Sequence, residues 1–119
     1  MSFDWREYLN LALFLQRQRN SFTQEAAYRC AVSRAYYAAF CYARNYARDR
    51  QGYSPKYAGE DHQFVRNHFR DRGMVKIARM LDRLRHWRNS CDYDDSVPNI
   101  SSIIKKAIND AQQIINLLT

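Results

Sequence analysis

The stretch from Thr23 to Gly52, TQEAAYRCAVSRAYYAAFCYARNYARDRQG, contains no Pro and no internal Gly and is dense in Ala. It predicts one long helix. Thr23 suits the N-cap, Glu25 places a carboxylate in the first turn, Arg48 and Arg50 fall in the last turn, and Gly52 can end the helix in the left-handed conformation. At 1.5 Å per residue about 27 helical residues extend roughly 40 Å, enough to run through a small domain. Ala26, Cys30, Ser33, Tyr37, Phe40 and Cys41 form one stripe at helical spacing, and Ala27, Ala31, Ala35, Ala38 and Tyr42 a second. Two apolar stripes predict a central helix covered on two faces. Arg34 lies beside them, and a buried guanidinium needs a partner, expected from another helix.

The remaining elements follow from periodicity. With 119 residues, three Gly, two Pro and no strand-like alternation, the chain reads as one all-α domain over residues 1–119. Ser2 to Arg19, with Ser2 as N-cap and Trp5, Tyr8, Leu9, Ala12 and Leu15 on one face, predicts a first helix. The short bridge Asn20 to Phe22 then predicts antiparallel packing on the second. Tyr53 to Gly59, holding Pro55, reads as a loop with two tyrosine anchors. A short helix from about Glu60 to Arg72 would bury Phe64, Val65, His68 and Phe69, present Arg66, Arg70 and Arg72 on its polar face, and stop at Gly73. A fourth helix runs from Met74 to about Tyr93. After the turn Asp94 to Pro98, a last helix from about Asn99 carries the cleanest apolar face and no candidate site. The predicted fold is therefore all-α, an up-and-down bundle of four main helices plus one short helix.

Composition narrows the function. No apolar run has membrane-spanning length and no signal-peptide pattern opens the chain, so a cytoplasmic protein with no membrane contact is expected. Cys30, Cys41 and Cys91 are odd in number and lack CxxC pairing; they read as small core residues. The net charge of +7, mostly carried by Arg, makes a phosphate-bearing partner plausible, because guanidinium groups match phosphate bidentately. No Glu is followed three residues later by His, as a di-iron bundle requires. His62 and His68, six apart, cannot act as i,i+4 metal ligands. Phosphate-loop and nucleophile-elbow motifs are missing too, so no metal and no cofactor is expected.

One local contradiction stands out in the fourth helix. Ile77, Leu81 and Leu84 set an apolar stripe that continues into Arg88, Cys91 and Asp92. An apolar face that turns ionic within two turns marks either an internal ion pair or a functional site. In the first case Arg88 and Asp92 pair at i,i+4 and need no ligand.

Two segments, S-R-A-Y-Y-A-A-F from Ser33 to Phe40 and L-R-H-W-R-N-S-C-D-Y-D from Leu84 to Asp94, resemble the HEPN superfamily. The likeness is to its small stand-alone prokaryotic members, in which S-R-x-Y-Y-A and a later L-R-x-x-R-N-x-x-D-Y recur, and the helix order covers nearly the whole chain. The resemblance implies an all-α bundle, a homodimer, and a catalytic or nucleotide-binding site at the Arg-Asn of the fourth helix. It also implies kinship with RNA-cleaving toxins that act with a nucleotidyltransferase antitoxin. The superfamily's ribonuclease motif is Arg, four to six residues, then His. After Arg88 those positions hold Tyr93, Asp94 and Asp95, so the His is absent.

Two functions follow. As a metal-independent endoribonuclease toxin, the chain would use Arg88 to stabilise charge on phosphorus, Asn89 to orient the phosphate, and Tyr93 or Asp92 in place of the missing His. As a catalytically inert HEPN module, it would hold RNA, a nucleotide or a protein partner through Arg34, Arg85 and Arg88. In either case Ser33, Arg34 and Tyr37 are expected to face Arg88, Asn89, Asp92 and Tyr93; if Arg34 rather than Arg88 meets Asp92, Arg88 and Asn89 are left free for a phosphate. His62 and His68 are the reserve candidates for a base.

Overall fold

The computed structural model describes residues 2–20 and 22–119. Five helices follow one another: α1 (Arg6–Gln16), α2 (Gln24–Gln51), α3 (Asp61–Asp71), α4 (Val75–Tyr93) and α5 (Ile100–Leu117). The all-α class is as expected, and among the described residues there is no strand. The 28-residue α2 is the axis of the bundle, with α1, α3, α4 and α5 all packed on it.

The Ala-rich composition of α2 explains this position. Ala31, Ala35, Ala38, Ala39, Ala43 and Ala47 are completely buried, and their short side chains let neighbouring backbones approach closely. Val32 and Tyr36 are buried beside them, so α2 is enclosed on more faces than the two predicted stripes. Ala26 and Cys30, assigned to the first stripe, are exposed instead, and Cys30 is not a core residue; only Cys41 and Cys91 are. The first two turns of α2 lie where fewer neighbours cover them. Thr23 occupies the N-cap position, but its side chain makes no capping bond. Gly52 ends the helix at φ +73°, letting the Tyr53 amide donate back to the Ala47 carbonyl at 3.0 Å.

The first helix is shorter than expected. Asp4, not Ser2, organises its start: the Asp4 carboxylate accepts the Arg6 amide at 3.0 Å and also the Arg6 guanidinium. At the other end, the amides of Arg17 and Gln18 turn back to Phe14 and Leu15, tightening the chain out of the helix before Arg19. Of the expected bridge Asn20 to Phe22, Ser21 lies outside the described residues.

A buried carboxylate organises the loop before α3. Asp61, 2% exposed, accepts hydrogen bonds from the Tyr53 hydroxyl, from the Lys56 amide at 3.0 Å and from the Tyr57 amide at 2.6 Å. Burial alone would raise its pKa; the hydrogen bonds win and hold it below the ordinary aspartate value. Tyr53 is thus one real anchor, but Tyr57 is not a second: its ring is exposed, with its hydroxyl accepting from Arg48 at 3.0 Å. The clamp fixes the first turn of α3, and therefore His62. Val65 and Phe69 are buried as predicted, whereas Phe64 is partly exposed and Arg66, assigned to the polar face, is largely covered.

Two long side chains fix α4. Arg83 forks onto the buried Asp110 of α5 through two bonds of 3.1 and 3.0 Å. Arg29 of α2 donates to the Cys91 carbonyl at 3.1 Å, the Asp94 carbonyl at 2.6 Å and the Asp95 carbonyl at 3.3 Å. A cation on the free carbonyls is the favourable arrangement at a helix C-terminus, and here it ties the end of α4 to the central helix. Among the described residues no helix is long and apolar enough to cross a membrane.

Candidate functional site

The last two turns of α4 lie against the middle of α2, and the contact is made by the residues that break the apolar stripe. Arg88, its side chain 17% exposed, lies with its Nε 2.9 Å from Asp92 Oδ2, the i,i+4 arrangement. Its guanidinium carbon sits 5.2 Å from the Tyr37 ring centre and 5.6 Å from that of Tyr93, so the cation is held between two aromatic faces. Arg88 Nη1 donates to Asn89 Oδ1 at 2.9 Å, and Ser33 donates to Asp92 at 3.3 Å. Ser33, Tyr37, Arg88, Asn89, Asp92 and Tyr93 thus come together.

Arg34 does not pair with Asp92. Its guanidinium stacks 4.8 Å from the centre of the Tyr8 ring on α1 and 5.3 Å from that of Tyr37, and it donates to Ser33 Oγ at 3.3 Å. The partner from another helix is therefore an aromatic face rather than a carboxylate. The reason is positional: Arg88 reaches Asp92 from within the same helix, leaving Arg34 the ring of Tyr8. Arg85 faces the α3 side of α4, away from Arg34, and joins a different set of groups.

That set was not foreseen. His62, at the start of α3, stacks on Phe40 with ring centres 4.4 Å apart, and its Nδ1 hydrogen-bonds with the hydroxyl of the buried Tyr36. Burial, then the positive charges of Arg85, Arg88 and Arg66, push its pKa down to about 4, so the imidazole is neutral at pH 7. Burial likewise raises the Tyr36 phenol far above its usual value despite the same three arginines. Arg66 stands one helical turn after His62, with its Nε 3.6 Å from Asp82 Oδ1 across the α3–α4 seam.

Guanidinium nitrogens in this group lack hydrogen-bond partners. Arg66 Nη1, Arg85 Nε and Arg88 Nε are all shielded from solvent and unpaired among the described residues. For Arg88 the short distance to Asp92 is an ion pair whose N–H is not directed at the carboxylate oxygen. Buried donors are normally satisfied, so unpaired guanidinium nitrogens on three arginines that all bear on His62 leave donor capacity that an anion would satisfy. One sequence signal pointed this way: His62 and Arg66 are four apart and so share a face of α3, and Arg85 and Arg88, three apart, share one of α4. Nothing in the sequence showed that these two faces meet.

Among the described residues no three His, Cys, Asp or Glu side chains gather as a metal site requires. His68 lies elsewhere, its Nε2 2.8 Å from Gln51 Oε1. His86 is exposed on the outer side of α4.

Comparison with known proteins supplies the family. The model of the HEPN domain matches residues 12–119, from the middle of α1 to the end of the chain. No curated protein and no solved structure matches significantly. A match over nearly the whole chain, on a five-helix bundle that gathers both recurrent motifs at one seam, places this chain in the HEPN family.

Proposed function

We propose that residues 1–119 act as one cytoplasmic HEPN module that binds a phosphate-bearing ligand, RNA or a nucleotide, at the α2–α3–α4 seam. The observation that carries this reading is the gathering of Arg66, Arg85 and Arg88 with guanidinium donors left unpaired. Tyr37 and Tyr93 flank Arg88 and offer faces on which a base could stack; Tyr93 is 72% exposed. Asn89 orients the Arg88 guanidinium, and Ser33 with Asp92 fixes its depth. The module is a homodimer in this reading, with α4 near the two-fold so that two Arg88 side chains serve one cleft. HEPN membership supports it, and light scattering near 14.2 kDa would rule it out.

Cleavage of the bound RNA, as a toxin held by a nucleotidyltransferase antitoxin, is the second reading. The observation that favours it is that the His62 imidazole and the Arg88 guanidinium both lie against the Tyr37 ring, although no His follows Arg88 in sequence. Binding and cleavage of a single-stranded oligoribonucleotide at low salt, by the parent, Arg88→Ala and Tyr93→Phe, separate the readings. Binding that weakens at least tenfold in Arg88→Ala, with no cleavage by the parent, selects the binding module. Cleavage lost in Arg88→Ala selects the nuclease. Equal behaviour of all three folded proteins removes the site.

A further inference from the structure

Three features of the seam do not follow from a simple basic patch. The first is that the cations are unequally neutralised: Arg66 has Asp82, Arg88 has Asp92, and Arg85 makes no ion pair among the described residues. The second is that the titratable group among them is an imidazole wedged against an aromatic wall, stacked on Phe40 and tied at Nδ1 to Tyr36. The third is that this imidazole is positioned by a dedicated device, the Asp61 clamp on the preceding loop. A neutral histidine merely filling space would need no such positioning.

We infer that His62 is a fourth contact for the anion, and that it takes up a proton when the anion binds between Arg66, Arg85 and Arg88. The inference rests on the phosphate-binding reading and goes further, to the charge of the group selected. In the free protein the imidazole lies against the Tyr36 and Tyr37 rings of α2, Arg88 stacks on the same Tyr37 ring, and the charges that bear on it are those of Arg66 on its own helix and Arg85 and Arg88 from α4, with Asp61 opposing them. Those cations disfavour a further positive charge. An anion seated among them reverses the local potential, and the same burial that isolates the imidazole then strengthens its attraction to that anion. Nδ1 is engaged with Tyr36, which leaves Nε2 as the ring nitrogen available to a ligand. The proton comes from solvent and rests on the imidazole. No covalent bond is made or broken.

Selectivity follows from the charge count. With Arg66 and Arg88 facing Asp82 and Asp92, the charges left over are those of Arg85 and the imidazolium, which match a doubly charged group, whereas an internal phosphodiester carries one negative charge and induces less proton uptake. The ligand class is therefore the dianionic terminal phosphate of an RNA end or a nucleotide, in preference to the middle of a chain.

The test uses sulfate, a dianion with no titration of its own in the relevant range, and the protein of residues 1–119. Sulfate affinity is measured from pH 7.5 to 5 for the parent and His62→Gln, with the folded state of each checked by circular dichroism, and the imidazole of His62 is followed by NMR. The expected result is affinity that climbs as pH falls, approaching about tenfold per pH unit as one proton is taken up, with a flat profile in His62→Gln. The His62 titration should move upward on adding sulfate. An oligoribonucleotide with a 5′-phosphate should bind several-fold more tightly than the same chain with a 5′-hydroxyl, and this preference should shrink in His62→Gln. The same slope in both proteins, or an imidazole whose titration ignores sulfate, would overturn the inference. RNA binding that depends on Arg88 but not on His62 or pH would reject this inference alone. If neither sulfate nor RNA binds, the phosphate-binding reading itself fails.

Discussion

Two arginines five residues apart on α4 meet aspartates in opposite ways. Arg83 keeps its guanidinium half in solvent, 53% exposed, and forks both donors onto Asp110, whose side chain is 7% exposed. Arg88 is the reverse: its guanidinium is covered, its aspartate lies nearer the surface, and its Nε is not aimed at the carboxylate it stands beside. The first pair satisfies a buried carboxylate and locks α4 to α5. The second holds a cation in place between two tyrosine rings while leaving hydrogen-bonding capacity free. Burial of the acid with exposure of the base is a structural arrangement; burial of the base with spare donors is a binding arrangement.

The Asp61 clamp belongs with Arg83 and Asp110 on the structural side, and it should give the largest effect. Asp61→Ala leaves the Lys56 and Tyr57 amides without their acceptor and frees the loop, so a loss of about 3 kcal/mol is expected in urea unfolding. Loss below about 1 kcal/mol would mean that the loop finds other partners and that His62 is not held by it.

Next comes acid sensitivity. Unfolded His62 titrates near 6.5 and folded His62 near 4, so between those values the unfolded chain binds a proton that the folded chain refuses. Stability should therefore be full above pH 6.5 and decline as pH falls toward 4, by roughly 2 kcal/mol from this residue. His68, also lowered by burial, adds to the loss, whereas the Asp61 contribution persists until pH falls below 3.8. His62→Gln should flatten the decline between pH 6.5 and 4. An unchanged slope would show that His62 is not the group responsible.

A smaller effect sharpens the contrast between the arginines. Asp92→Ala removes an i,i+4 pair near the surface and should cost no more than about 0.5 kcal/mol. A marked loss of stability would make Asp92 a counterpart of Asp110.

The fold was readable because helical periodicity and the punctuation by Gly52, Gly73 and Pro98 are local signals. The break in the α4 stripe at Arg88 and Asp92 was readable for the same reason, as was the approach of Ser33 and Tyr37 to it. What failed was everything set by competition between helices. Of the two partners open to Asp92, the intrahelical Arg88 holds it, and Arg34, whose partner was sought on another helix, has the ring of Tyr8. Arg66 was read as surface because its own helix places it on a polar face; the α3–α4 seam covers it. Cys30 was read as core because its spacing fits, yet it lines an open groove with Leu11 and Leu15 of α1 and Asp92 of α4. His62 stood only as a reserve candidate for a base, because the family motif directs the search downstream of Arg88, whereas the imidazole arrives from α3.

The most direct measurement sets Arg83→Gln beside Arg88→Gln, with urea unfolding and oligoribonucleotide binding recorded for both. Arg83→Gln should lose about 2 kcal/mol by stranding the buried Asp110 carboxylate and keep its RNA affinity. Arg88→Gln should keep its stability within about 0.5 kcal/mol and lose at least tenfold in RNA affinity. An Arg88→Gln protein that unfolds as readily as Arg83→Gln while binding RNA like the parent would contradict the account, because both pairs would then be structural.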